Sequence, residues 1–181
     1  MSKTEMTAAD LAYQKKLRRY FLEAFLSESS KILLFLLIAI YTNLVKEYLA
    51  ALLFLMLLRN HGGGLHFNHY ISCLIVSFLF LYASILLACF WQPCRFILLL
   101  SLFICVIGGY FLVPVTSSNR PPATKQQIKH SKRSTVFIIT TFFFLTCFCP
   151  LTKYLYIGFW TTVLHIFQLT LAHAKGGVGN A

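Results

Sequence analysis

An all-α, polytopic membrane fold follows from three features of the sequence. Of the 181 residues, 58% are hydrophobic and 12% charged, with a mean hydropathy of +0.72, far from the balance of a soluble domain. The apolar residues gather into about six helix-length segments, the first two short and hairpin-like, preceded by an amphipathic N-terminal helix. The breaks between them are basic: 16 Lys and Arg against five acids give a net charge of +11. That charge suits an anionic lipid surface, at about 1 kcal/mol per surface Lys or Arg, and a chain this apolar is a poor partner for nucleic acid. Residues 1–181 read as one integral membrane domain.

Residues 8–28 place Leu11, Leu17, Tyr20, Phe21, Ala24 and Phe25 among Lys15, Lys16, Arg18 and Arg19. This predicts a helix lying on the membrane or docked on the protein's own cytoplasmic face. No early segment has the short apolar core and small-residue cleavage site of a secretory signal, so the N-terminus is expected to stay in the cytoplasm.

Ile32–Val45 and Tyr48–Leu58 are apolar runs of 14 and 11 residues split by Lys46-Glu47, each short against the ~20 residues of a spanning helix. A hairpin with the charged pair at its turn is favoured over one long helix, because a charge near the bilayer centre costs at least about 2.5–3.5 kcal/mol. Tyr70–Trp91 and Phe96–Val115 are long enough to span, divided at Gln92-Pro-Cys-Arg95, and Gly108-Gly109 offers close helix packing. Residues 116–133 form the longest polar loop, with five basic residues and no acid, and are expected in the cytoplasm. Ser134–Pro150 and Tyr154–Leu171 make a last pair with Lys153 at the turn, and residues 174–181 form a glycine-rich tail expected to be flexible. With the N-terminus and the 116–133 loop both inside, six segments put the C-terminus and the 59–69 loop on the cytoplasmic side as well.

Cys73, Cys89, Cys94, Cys105, Cys147 and Cys149 lie, except for Cys94, within apolar runs and do not form a disulfide framework. All five acids, Glu5, Asp10, Glu23, Glu28 and Glu47, precede the loop at 59–69. Any carboxylate orienting a catalytic histidine must therefore be Glu47 or an earlier residue, and paired-carboxylate chemistry is excluded.

The chemistry concentrates in Arg59-Asn-His-Gly-Gly-Gly-Leu-His-Phe-Asn-His-Tyr-Ile-Ser-Cys73. A thiol at Cys73 with His61, His66 and His69 upstream, beside the flexible Gly62, Gly63 and Gly64, is the material of cysteine catalysis. The thiolate is the attacking species, so an imidazole or the N-terminal end of a helix is needed to favour it. Cys73 falls in the first turn of the helix that begins at Tyr70. Spacing leaves the base open. His69 is four residues from Cys73 and shares its face in a continuous helix; His66 is seven away, but the glycines before it allow a loop to fold back over the helix start.

The pattern Arg59-x-x-x-Gly63-Gly64-x-His66, followed after six residues by Cys73, resembles the signature of the accessory gene regulator B family (AgrB), membrane cysteine endopeptidases of bacterial quorum sensing. The apolar hairpin before it, the spanning segments after it and the basic loop around Asn119-Arg120-Pro121 agree, so the resemblance covers roughly residues 10 to 173. It implies His66 as general base and Cys73 as nucleophile, with His69 the alternative base. It further implies a bacterial cell membrane, no cofactor or metal, a homodimer, and an AgrD-like precursor peptide as substrate. Cys73 would form a thioester acyl-enzyme on that peptide, from which a thiol or hydroxyl in the acylated part closes a thiolactone or lactone ring.

Supporting roles are open to two readings each. Gly63 and Gly64 bring backbone N–H groups to an oxyanion or supply loop conformations closed to other residues. Asn68 orients His66 or donates to the oxyanion, or is a surface loop residue. Arg59 binds substrate carboxylates or anchors a helix end. Lys125, Lys129, Lys132 and Arg133 anchor to the inner leaflet or dock an acidic part of the precursor. His165 and His173, two turns apart on the last helix, are explained by interfacial packing. Two rival functions remain. His61, His66, His69 and Cys73 could ligate a metal or haem, although they lack a recognised ligand spacing. A transporter or assembly subunit without chemistry would leave Cys73 an inert thiol.

Overall fold

The breaks in the apolar pattern become breaks in helix. The computed structural model describes residues 8–64, 70–114 and 125–174. It forms α1 (Ala8–Tyr41), α2 (Val45–Gly62), α3 (Tyr70–Phe90), α4 (Arg95–Leu112), α5 (Lys125–Phe148) and α6 (Lys153–Ala174), with no strand among the described residues. The all-α expectation holds. Of the six, α3, α4 and α6 are long and apolar enough to cross a membrane. α2 carries Lys46, Glu47 and Arg59 within its length, and α5 opens on four basic residues.

Three boundaries differ from the sequence reading. The N-terminal segment and the first apolar run are one 34-residue helix, because nothing between Leu26 and Ile32 breaks helix: Ser27, Glu28, Ser29, Ser30 and Lys31 are all tolerated inside one. The hairpin is present, but its turn is Thr42-Asn43-Leu44, with Asn43 at φ 56°, a conformation asparagine tolerates. Lys46 and Glu47 follow as the first turn of α2, where the carboxylate faces the helix's positive end. The third difference is at residues 125–133, expected in a loop and found helical, as Lys and Gln favour. Residues 116–124 and 175–181 lie outside the described residues.

α6 is the central helix and packs against α2, α3 and α4. One core joins Phe35 and Ala39 of α1, Tyr48 and Ala51 of α2, Leu81, Ile85 and Ala88 of α3, Leu98 and Leu102 of α4, and Tyr156, Ile157 and Phe159 of α6. The outward faces carry Phe90, Phe96, Phe103, Phe111 and Phe137, all exposed, as suits a surface solvated by lipid. Because lipid is as apolar as this core, close packing rather than water exclusion holds the helices together. Gly158 of α6 shows how close: a Cβ there would lie 2.6 Å from the Phe54 ring of α2. Gly108 and Gly109 serve likewise against α6 and α5.

One end of the bundle is tied by side chains reaching across turns. Arg95 donates to the carbonyls of Cys147 (2.9 Å) and Cys149 (3.0 Å), capping the end of α5 before Pro150. The Trp160 indole N–H donates to Trp91 O at 3.0 Å, and the Tyr156 hydroxyl to Pro93 O at 3.3 Å. Lys153 Nζ meets Glu47 Oε1 at 2.9 Å. That hydrogen bond holds the Glu47 carboxyl below its ordinary 4.5, with burial opposing. A depressed carboxylate stabilises the fold above its unfolded value and loses that contribution as pH falls through the folded one. Acidification below about 4.5 should therefore weaken the wild type more than Lys153→Met, which at neutral pH costs only about 0.5 kcal/mol because Lys153 is partly exposed. Thermal unfolding in detergent across that range checks this; equal acid sensitivity would show the pair contributes nothing.

Candidate functional site

At the opposite end, α2 stops at Gly62 and α3 starts at Tyr70. Gly63 has φ 77° and ψ −154°, a backbone conformation essentially reserved for glycine, and its N–H donates to Arg59 O at 3.1 Å. That bond closes the helix end and engages the Gly63 N–H there. Gly64 is buried with the Arg59 side chain lying over it.

Cys73 is the fourth residue of α3, 7% exposed, in the first turn as the sequence predicts. Its sulfur faces α1. Lys31 Nζ lies 3.3 Å from Cys73 Sγ and 2.9 Å from Glu28 Oε1, one turn earlier on the same helix. Arg59 Nη1 approaches the other carboxylate oxygen, Glu28 Oε2, at 3.5 Å. Lys31 is only 3% exposed. An ammonium so placed needs partners, since the effective penalty for a buried unpaired ion is several kcal/mol. Tyr70 adds to the enclosure: its ring centroid is 5.7 Å from Lys31 Nζ, and its hydroxyl shares a 2.7 Å hydrogen bond with Ser30 Oγ. Three helices thus converge on one thiol.

The carboxylate beside the thiol is therefore Glu28. Glu47 stands twelve residues from Arg59 along α2, roughly 18 Å, and is paired with Lys153. Arg59 reaches Glu28 from α2. Lys31 escaped the sequence reading altogether, although an ionisable residue opening an apolar run is itself a signal of function.

His66, His69 and Asn68 lie outside the described residues, as does the relation of either histidine to Cys73. His61 has its ring 6.1 Å from that of His130 on α5. Lys125, Lys129 and Arg133 are exposed on the first turns of α5, and Lys132 is half-buried with its Nζ 5.6 Å from the Tyr110 ring centroid.

His165, for which the sequence suggests interfacial packing, lies elsewhere. It is 1% exposed in the middle of α6, neither ring nitrogen has a hydrogen-bond partner among the described residues, and its Nε2 would lie 2.9 Å from a Cβ at Gly62. The extra glycine of the run at 62–64 is thus a packing position against this imidazole. His173, near the end of α6, is hydrogen-bonded to Leu112 O at 2.7 Å.

All six cysteines are free thiols, so Cys73 is not held in a disulfide.

In comparison with known families, the chain matches the model described as Accessory gene regulator B over residues 3–169. No curated protein and no solved structure matches the chain at a significant level. The match includes all six helices nearly to the end of α6 and the whole 59–73 segment. By that match the chain belongs to the accessory gene regulator B family, whose members process quorum-sensing peptides.

Proposed function

We propose that this protein is a membrane cysteine endopeptidase that cuts an AgrD-like precursor peptide through a thioester on Cys73. The observation that carries the reading is the environment of that thiol. It sits in the first turn of α3 with an ammonium donating to its sulfur, in a family of quorum-sensing peptide processors. A helix N-terminus and a cation both favour the thiolate, the species that attacks a carbonyl.

In this reading the His66 imidazole takes the Cys73 proton. The sulfur bonds to the carbonyl carbon at the end of the future signal segment, and the amide C–N bond breaks. The imidazolium returns the proton to the departing amine. A thiol or hydroxyl within the acylated segment then displaces Cys73, so the carbonyl activation held in the thioester is used for ring closure instead of lost to water. The basic first turns of α5, exposed at Lys125, Lys129 and Arg133, suit an acidic part of the precursor or anionic lipid. The reacting end faces the cytoplasm, where the precursor is made.

The thioester itself is the test. Wild-type protein co-expressed with its precursor, quenched in acid and analysed intact by mass spectrometry, should carry an adduct equal to the N-terminal part of the precursor. Neutral hydroxylamine should remove it. A precursor fully cleaved with no hydroxylamine-labile adduct under any quench would refute covalent catalysis on this chain.

A further inference from the structure

We propose that Lys31 is a catalytic residue: its ammonium donates to the Cys73 sulfur and is the fixed counter-ion of the attacking thiolate. This rests on the reading of Cys73 as the nucleophile, and it adds a member from α1, 42 residues earlier in the chain, that the Arg59–Cys73 segment does not contain.

The argument begins with charge. Among the described residues, the groups that meet at this point are Lys31 and Glu28 of α1, Arg59 of α2 and Cys73 of α3, joined at 2.9, 3.5 and 3.3 Å. Tyr70 of α3 lies against the ammonium, and His165 of α6 stands behind the end of α2. Among these four described groups, two cations face one carboxylate while Cys73 carries its proton. A Cys73 thiolate would give the second cation of the four an anionic partner. In a region of low dielectric this balance matters more than in water, since the interaction of close charges grows as the dielectric falls.

Geometry agrees with the charge count. Lys31 is almost wholly buried, so its ammonium cannot swing to solvent. Glu28 holds it from one side at 2.9 Å and Tyr70 covers it at 5.7 Å, leaving the sulfur as the second acceptor. A lysine placed only to anchor a helix at the membrane surface would extend its flexible stem outward; this one points inward to a thiol.

Glu28 completes the cycle. Once Cys73 is acylated its sulfur is neutral, and Lys31 would be a buried cation without an anion were Glu28 absent. Lys31 keeps all three of its protons throughout; the thiol proton goes to His66 and on to the leaving amine. Lys31 thus stabilises the charge on sulfur before attack and again when sulfur departs during ring closure.

The test reads the sulfur directly. Purified full-length protein is treated with iodoacetamide, and alkylation at each cysteine is followed by peptide mass spectrometry, with the exposed Cys89 and Cys94 as internal controls. An ordinary cysteine is only a few per cent thiolate at neutral pH, so losing the counter-ion should slow alkylation of Cys73 in Lys31→Met by about tenfold. The deficit should close in alkaline buffer, which a misfolded site would not do, and Lys31→Arg should stay within about threefold of wild type. Lys31→Gln, which keeps a polar group without charge, serves in place of the methionine variant if that one fails to accumulate. Neutral-pH alkylation of Cys73 at the wild-type rate in the uncharged variant would overturn the assignment. Precursor cleavage separates the two claims. If Lys31→Met cleaves like wild type while Cys73→Ala is inactive, the role of Lys31 falls and the nucleophile stands. If Cys73→Ala cleaves, the peptidase reading falls, whatever the alkylation shows.

Discussion

Cys73→Ala should abolish precursor cleavage, a loss of at least about 10³-fold, and His66→Ala should do the same, while His69→Ala should keep most of the activity. The expectation for Cys73 follows from covalent catalysis, where no neighbouring group substitutes for the attacking sulfur and members of one catalytic unit fail together. For the base, the residues alone leave two candidates. The choice of His66 comes from the family pattern Arg59-x-x-x-Gly63-Gly64-x-His66, a family to which the chain belongs. Co-expression with the precursor, followed by gel and mass spectrometry at matched membrane levels, checks all three variants. Loss in His69→Ala with retention in His66→Ala would move the base to the residue next to α3. Full cleavage in Cys73→Ala would end the mechanism.

The largest expected effect on stability lies far from the thiol. Gly158→Ala should lower the melting temperature in detergent by about 3–6 °C, and Gly158→Leu by about 10 °C or more. At Gly158 the Phe54 ring occupies the space where a Cβ would go, with three ring atoms at 2.6–2.9 Å, and Phe142 stands edge-on to that ring at 4.8 Å between centroids. The ring cannot retreat without displacing its neighbour. Alanine gains about 1 kcal/mol of helix propensity over glycine, but overpacking a tight contact costs about 1–3 kcal/mol, and at this distance the clash is at the upper end. Each kcal/mol corresponds to about 2–4 °C in a chain of this size. Phe54→Leu should rescue Gly158→Ala in the double variant, because it removes the obstructing atoms. A Gly158→Leu protein that melts with the wild type would show that α2 and α6 are not packed this closely.

Much of the fold is legible in the linear pattern because membrane helices announce their ends. Pro93 and Pro150 end segments, Arg95 and Lys153 mark the turns, and α3 starts at Tyr70. Where the pattern misleads, the reason is local. The basic run at 125–133 looks like a loop by charge, yet Lys and Gln propagate helix readily. Ser27–Lys31 looks like a boundary because hydropathy changes there, yet none of those residues stops a helix. The thiol and its helix-start position were legible; the ammonium was not. Periodicity links neighbours three or four apart, and it carries no information that residue 31 meets residue 73. His165 illustrates the same limit, since a histidine in an apolar run reads alike whether it faces lipid headgroups or the centre of the bundle.

The helix lengths have one more consequence, for sidedness. The turns at 42–44, 91–94 and 149–152 lie at one end of the bundle, and the end of α2, the starts of α3 and α5 and the end of α4 at the other. Irregular backbone is what proteases cut and partners grip. Among the described residues, the first end offers three short, cross-tied turns, whereas the second carries the thiol and the basic start of α5. Among the described residues, one end of the bundle is therefore a cross-tied floor, and the thiol and the basic helix start share the other.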